Sequence, residues 1–124
     1  MIELWGQLLV PLQGDISDSQ MDQVVQTVLE RIRTSDAEGL VLDASGVWLV
    51  DSHLCAALGR LAGAARLMGV PSVMCGLGPE VVMTLQSMGF DLKGIHTTLG
   101  LESALEMLGL QVRRAAQKRQ ETIR

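Results

Sequence analysis

The sequence predicts a single α/β domain, with a mixed central sheet of about five strands and about four helices. Its 124 residues are the length of one ordinary domain. The chain is 48% hydrophobic and only 2% aromatic, so a core is available and has to be aliphatic. Short apolar runs alternate with segments of helical periodicity along the chain, which is typical of an α/β domain with right-handed crossovers.

The first half of the chain contains three predicted strands and one helix. Residues 2–12 form two short strands joined by a turn. Apolar positions at helical spacing predict a helix over 21–34, which Ser17 or Asp18 can cap. The compact apolar run 40–42 predicts a buried strand, because it is short and bounded by polar residues.

The second half repeats the alternation of helix and strand. The pattern predicts a helix over 54–68, a buried strand over 72–75 and a helix over 79–88 that begins with proline. A short strand over 95–97 and a last helix over 101–108 complete the domain.

The charge of the chain is unevenly distributed. Residues 1–110 hold five basic against thirteen acidic side chains, a net charge of −8, whereas residues 111–124 hold five against one, a net charge of +4. The acidic residues 1–110 lack the basic surface that binds duplex nucleic acid, and the scarcity of aromatic residues argues against a protein that stacks the bases of single strands. We therefore expect a domain over 1–110 and a basic C-terminal extension over 111–124.

Cysteine use and the lack of targeting signals favour a cytoplasmic location. Cys55 and Cys75 are twenty residues apart, which matches neither a disulfide framework nor a metal site. No secretion signal is recognisable, and no apolar run reaches the roughly 18 residues of a membrane span. His53 and His96 have no cysteine or carboxylate at ligand spacing, so no metal or other cofactor is expected.

Two motifs suggest chemistry, but neither matches a catalytic pattern. Asp51-Ser52-His53 contains the residue types of a hydrolase triad, yet consecutive residues entering a helix point about 100° apart and cannot form the hydrogen-bond line of a triad. The turn over Gly76–Glu80, where Gly78 is expected to make the bend, lacks the third glycine of a dinucleotide fingerprint. We expect no enzyme activity, and a small nucleotide-binding domain using this turn is an alternative.

Ser52 is the main candidate site. It lies at or next to a helix start, where either Asp51 or Ser52 could cap the free amides. The same position favours an added phosphate, because free amides and the positive end of the helix dipole meet it. The residues alone leave both interpretations of Ser52 open.

The order of the elements and several motifs together resemble the STAS family of sulfate-transporter and anti-sigma-factor-antagonist domains. The resemblance covers roughly residues 2–110, and within the family it is greatest to stressosome scaffold proteins. The motifs that carry it are Gly14-Asp15-Ile16, Val41-Leu42-Asp43, Val50-Asp51-Ser52, Ala65-Arg66-Leu67-Met68-Gly69-Val70, Gly76-Leu77-Gly78-Pro79-Glu80-Val81 and Thr84-Leu85-Gln86-Ser87-Met88-Gly89.

The resemblance implies that a serine/threonine kinase of the RsbT type phosphorylates Ser52. In such proteins the unmodified scaffold sequesters the kinase in a large assembly with an RsbR-type co-scaffold. Phosphorylation frees the kinase, and a separate phosphatase resets the switch. We expect Asp51, His53 and Asp15 to contact partners, and we expect the chain to form at least a homodimer.

Two departures from the family separate its branches. The commoner anti-sigma-factor antagonists have Asp-Ser-Ser-Gly where this chain has Asp51-Ser52-His53-Leu54, and they often have an acid at the position of Ser17. Both differences favour a scaffold over a free anti-sigma-factor antagonist, which is the alternative with the same fold.

Overall fold

The predicted elements are present in the described part of the chain. The computed structural model describes residues 1–13, 17–47, 50–89, 95–98, 100 and 102–109, so the basic extension lies outside the described residues. Residues 102–109 form a helix, α4. The elements before it are β1 (Ile2–Leu4), β2 (Gln7–Gln13), α1 (Asp18–Thr34), β3 (Gly39–Gly46), α2 (Ser52–Leu67), β4 (Ser72–Cys75), α3 (Pro79–Ser87) and β5 (His96–Thr98).

The strands form one five-stranded sheet in the order β1-β2-β3-β4-β5. β1 pairs antiparallel with β2, and every other neighbouring pair is parallel. Since each parallel neighbour is also the next strand in the chain, α1, α2 and α3 each have to cross back along the sheet before the next strand starts. The mixed α/β sheet predicted from the sequence is confirmed.

The sheet separates two hydrophobic cores. α1, α2 and α3 all contribute buried side chains to the larger core on one face. Because successive strand residues point to opposite faces, Leu40 and Leu42 join that core and Val41 joins the other. The smaller core, which α4 covers, consists of Val41, Val73, Cys75, Ala104 and Leu108.

The turn between β1 and β2 places a bulky residue in left-handed backbone. Trp5 has φ 51° and Gly6 has φ 79°. Two positive φ values in succession are typical of hairpin turns that usually carry Asn-Gly. Left-handed backbone costs a residue with a Cβ about 1–2 kcal/mol, and the Trp5 side chain is 81% exposed.

Gly76 makes the turn at the end of β4, where the sequence had suggested Gly78. Gly76 has φ +80°, whereas Gly78 has φ −73° and caps α3 in extended backbone. A Cβ at Gly76 would lie 2.8 Å from the Ser45 nitrogen and 2.9 Å from the Ser45 Cβ. The glycine therefore allows the ends of β3 and β4 to approach each other closely.

We predict that Gly76→Ala lowers the free energy of unfolding by more than Gly69→Ala. Both glycines have positive φ, +80° and +82°, so each alanine carries a similar backbone cost of about 1–2 kcal/mol. Only the alanine at 76 also collides with Ser45, because a Cβ at Gly69 meets nothing within 4 Å. Urea denaturation of both variants measures the difference, and equal losses would contradict the assigned contact.

Candidate functional site

The candidate site follows β3 at the carboxyl edge of the parallel strands, where open α/β sheets bind their ligands. The Asp43 carboxylate there accepts hydrogen bonds from the Ser45 backbone nitrogen at 3.0 Å and from the Ser45 Oγ at 2.7 Å. The Val47 nitrogen donates to the Ala44 carbonyl at 2.9 Å. Gly76 also lies close to Ser45. Together these contacts fix the position of the end of β3, which leads into α2.

Asp51 is the N-cap of α2. Its backbone is extended, with φ −123° and ψ 175°, and its Oδ1 accepts a hydrogen bond from the Leu54 amide at 2.8 Å. This bond satisfies one of the amides that have no partner inside the helix. Of the two capping residues that the sequence allowed, the structure therefore selects Asp51.

Ser52 is the first residue of α2 and is exposed. Its hydroxyl has no hydrogen-bond partner among the described residues, since the cap is made by Asp51. A primary alcohol in this position is open to an incoming partner without breaking a bond within the domain. The Ser52 side chain therefore has the exposure that a phosphate acceptor needs.

His53, which is expected from the sequence to contact a partner, is directed toward α1, and its contact with a partner stays a prediction. Its Nε2 lies 3.1 Å from the Asp22 Oδ1, and its Nδ1 lies 3.8 Å from the Asp18 Oδ2. A carboxylate only accepts, so the bond to Asp22 requires a proton on Nε2. With its side chain 32% exposed, His53 contributes mainly to the junction of the two helices.

Arg60 makes a second polar contact between α2 and α1. Its Nη2 donates to the Asp22 Oδ1 at 3.1 Å, so one carboxylate oxygen accepts from both His53 and Arg60. Exposed ion pairs of this kind contribute about 0–1 kcal/mol each. These two contacts orient the first turns of α2 against α1. Since Ser52 directly precedes His53, they also help to position Ser52.

Cys55 lies one turn after Ser52 and makes no reactive thiolate. Burial raises the pKa of its thiol, and the Asp51 carboxylate raises it further. Its Sγ is 4.0 Å from the Sδ of Met88, which is 40% exposed. Burial, followed by the charge of Asp43, likewise raises the pKa of the Cys75 thiol. Both groups are therefore protonated at neutral pH and are poor nucleophiles.

The other candidate residues do not extend the site. Asp15, expected to contact partners, lies outside the described residues, as does the side chain of His96. The described ranges contain no group of three or more His, Cys, Asp or Glu residues that could hold a metal ion. Within the same ranges, no helix combines the length and the apolar character needed to cross a membrane.

The Asp51-Ser52-His53 motif has no triad geometry. The Asp51 carboxylate accepts from the Leu54 amide, and the His53 ring contacts α1, so the two side chains serve separate contacts. The turn over Gly76–Glu80 also offers little to a phosphate. Pro79, the first residue of α3, has no N–H to donate, and the first turn of α3 carries the negative charge of Glu80.

The acidic partners of His53 and Arg60 were missed from the sequence. Asp18 and Asp22 are four residues apart, so they lie on the same face of α1. His53 and Arg60 are seven residues apart and share a face of α2 in the same way. The spacing was visible in the sequence, but only the packing of the helices shows that the two faces meet.

The chain belongs to the STAS family. The model of the STAS domain matches residues 3–104. Among curated relatives, the RsbT co-antagonist protein RsbRD of Bacillus subtilis (strain 168) is 27% identical over 105 residues, which are 85% of this chain and 38% of the relative. RsbRB of the same organism is 32% identical over 97 residues, 78% of this chain and 35% of that relative. The chain thus spans just over a third of their length.

Solved structures place the chain beside stressosome proteins. RsbS of Moorella thermoacetica, in a form with a serine-to-glutamate substitution, superposes with a TM-score of 0.82 at 30% identity, covering 90% of this chain and 95% of that one. A structure titled as the molecular architecture of the stressosome, a signal integration and transduction hub, gives 0.81 at 31% identity, covering 90% and 97%. These similarities support a stressosome or anti-sigma-antagonist type of role.

We predict that Asp51→Ala destabilises the protein by about 1 kcal/mol, because the Leu54 amide loses its partner. Asp51→Asn is the matched control, since asparagine caps helices about as well as aspartate does. Thermal and urea unfolding of both variants provide the measurement. The assignment of Asp51 as the cap is contradicted if alanine is tolerated as well as asparagine.

Proposed function

We propose that this chain is a non-catalytic scaffold and regulator of the stressosome type. It holds an RsbT-type serine/threonine kinase and releases it when Ser52 is phosphorylated. The observation that carries the proposal is the exposed Ser52 hydroxyl at the start of α2, which the Asp51 cap leaves without a structural role. Relatives named RsbT co-antagonists and a similar RsbS structure support it.

The chemistry asked of this chain is that of a phosphate acceptor. The kinase supplies ATP, Mg²⁺ and the residue that takes the hydroxyl proton, and Ser52 supplies the attacking oxygen. A hydroxyl without an internal hydrogen bond can enter the active site of a kinase without disturbing α2. The contacts of His53 and Arg60 with Asp22 hold the helix start in place meanwhile.

The phosphate is compatible with the fold of the domain. Phosphoserine carries about −1.5 to −2 charges at neutral pH. At the first residue of α2 this charge meets the positive end of the helix dipole and the free amides of the first turn. Phosphorylation is therefore expected to leave the domain folded and to change mainly the surface that a partner meets.

The surface around Ser52 is acidic, so an added dianion alters it strongly. Asp51 is exposed beside Ser52, and the exposed carboxylates of Asp18 and Asp22 lie on the adjoining helix. When a partner covers this surface, the phosphate and the neighbouring carboxylates are held together away from water, so their mutual repulsion and the desolvation of the dianion oppose binding after phosphorylation. A loss of about 1.4–4 kcal/mol weakens a contact about ten- to a thousandfold, which is enough for release.

The proposal includes the remaining partners of the switch. An RsbR-type co-scaffold would share the large assembly, and a phosphatase would remove the phosphate from Ser52. The whole system would operate in the cytoplasm as part of bacterial stress signalling. A free anti-sigma-factor antagonist would use the same fold and the same serine, but it would act as a small protein outside any large assembly.

We predict that the partner kinase and Mg-ATP modify the purified protein at Ser52. Phosphosite mapping by mass spectrometry should find the phosphate on Ser52 in the wild type and none in Ser52→Ala. Ser45→Ala is the matched control, because Ser45 is exposed at the same edge of the sheet but its hydroxyl is bound to Asp43. Its labelling should equal that of the wild type.

Modification at another residue, or none, would contradict the proposed switch. Thr84 and Thr97 provide an internal check, since both are exposed. The Thr84 hydroxyl donates to the Glu80 carbonyl at 2.9 Å, so it is already engaged within α3. A phosphate on either threonine in place of Ser52 would move the regulatory site away from α2.

A further inference from the structure

Ser52 separates two different surfaces at the start of α2. Successive residues are about 100° apart around a helix, so His53 lies about 100° from Ser52 in one direction and Cys55 about 60° from it in the other. His53 is directed toward the exposed carboxylates of Asp18 and Asp22 on α1. The side of Ser52 that faces α1 is therefore acidic.

The other side is apolar and carries two sulfur-containing side chains. Cys55 follows Ser52 by three residues, and residues at this spacing have Cβ atoms about 5–6 Å apart on the helix surface. The Cys55 Sγ lies 4.0 Å from the Sδ of Met88, the C-cap residue of α3. Burial raises the pKa of the Cys55 thiol, so this group is uncharged at neutral pH. Cys55 and Met88 together are called the sulfur patch below.

The Met88 side chain is available to a partner. It is 40% exposed. The end of α3 is made by the backbone, since the Met88 nitrogen donates to the Thr84 carbonyl at 3.0 Å and the Gly89 nitrogen donates to the Gln86 carbonyl at 3.1 Å. The backbone at Met88 is thus held in place, and capping the helix does not require a thioether there.

A kinase that reaches Ser52 also covers the sulfur patch. A specific interface of standard size buries about 800 Å² on each partner, which extends well beyond one turn of a helix. The centres of such interfaces are poor in charged residues and enriched in methionine, whose flexible thioether adapts to the shape of a partner. The patch is therefore continuous with the surface around Ser52 and has the composition of an interface centre.

We propose that Met88 is a docking residue for the kinase that modifies Ser52. This inference rests on the proposed function and adds the chemistry of the partner. Beside its active-site cleft the kinase carries an apolar side chain that packs on the sulfur patch, and on the other side of the cleft it carries basic groups that face Asp18 and Asp22. The reverse orientation would place the apolar group against carboxylates, so the kinase docks in one direction.

The docking contact also links binding to release. When an apolar side chain covers the sulfur patch, water is excluded one helical turn from Ser52. An unmodified hydroxyl loses little by this, whereas a phosphate dianion loses much of its hydration. The contact that strengthens binding of the unmodified protein therefore opposes binding of the phosphorylated one.

Steady-state kinetics of Ser52 phosphorylation test the docking role. Met88→Gln keeps the length of the side chain and removes its apolar end, so we expect KM to rise about tenfold while kcat stays within about twofold, as for a contact made equally in the ground and transition states. Met88→Leu should restore a KM close to that of the wild type. Met83→Gln is the matched control, because Met83 is 69% exposed on another face of α3, and its KM should be unchanged.

Salt dependence separates the two sides of the surface. Asp18→Asn should slow association of the kinase at low salt and lose this effect at high salt, because exposed charges are screened. The weaker binding of Met88→Gln should persist at high salt, because an apolar contact is not screened. Stopped-flow or surface-based binding measurements at two salt concentrations make the comparison.

The outcomes distinguish this inference from the proposed function. An unchanged KM for Met88→Gln, or an equal rise for Met83→Gln, with the phosphate still on Ser52 would overturn the docking role alone. An altered assembly size with an unchanged KM would do the same and assign the patch to a scaffold contact. No phosphate on Ser52 of the wild type would overturn the proposed function and this inference with it. Urea unfolding of the Met88 variants verifies that they are folded.

Discussion

Asp51 and Ser52 are neighbours that could each satisfy the free amides at the start of α2, and the helix uses Asp51. Because the Asp51 carboxylate accepts from the Leu54 amide at 2.8 Å, the Ser52 hydroxyl stays exposed and makes no hydrogen bond with any described residue. The remaining features of the site depend on these separate roles of Asp51, which caps the helix, and Ser52, which stays exposed. A serine that capped the helix would have to give up a hydrogen bond to become a phosphate acceptor, and its modification would disturb the fold as well as the surface.

The topology of the sheet determines where this pair of residues lies. Parallel strands in chain order bring the end of β3 next to the end of β4, where Gly76 permits close contact with Ser45. On the other side, Asp22 of α1 accepts hydrogen bonds from His53 and Arg60 of α2. The start of α2 is therefore supported from the sheet and from a neighbouring helix, and the edge formed by β1 remains separate from it.

The sequence predicted the strands and helices well, because their apolar spacing and their end signals agree. Three features required the structure. The choice between Asp51 and Ser52 as the cap depends on backbone geometry at a single residue. The direction of His53 depends on which face of α1 it meets, which spacing within α2 cannot show. The need for glycine at position 76 depends on Ser45, a residue on a different strand that a Cβ at Gly76 would meet at 2.8 Å.

The most direct test of the account is the affinity of the partner kinase for two forms of the protein, one unmodified and one with phosphoserine incorporated at position 52. The account predicts tight binding of the unmodified form and binding at least about tenfold weaker for the phosphorylated form, in line with a loss of about 1.4 kcal/mol or more. Asp51→Asn with the same phosphoserine should show a smaller loss, because one neighbouring charge is removed. Equal affinity of the two forms would contradict the central claim that the charge on Ser52 controls release.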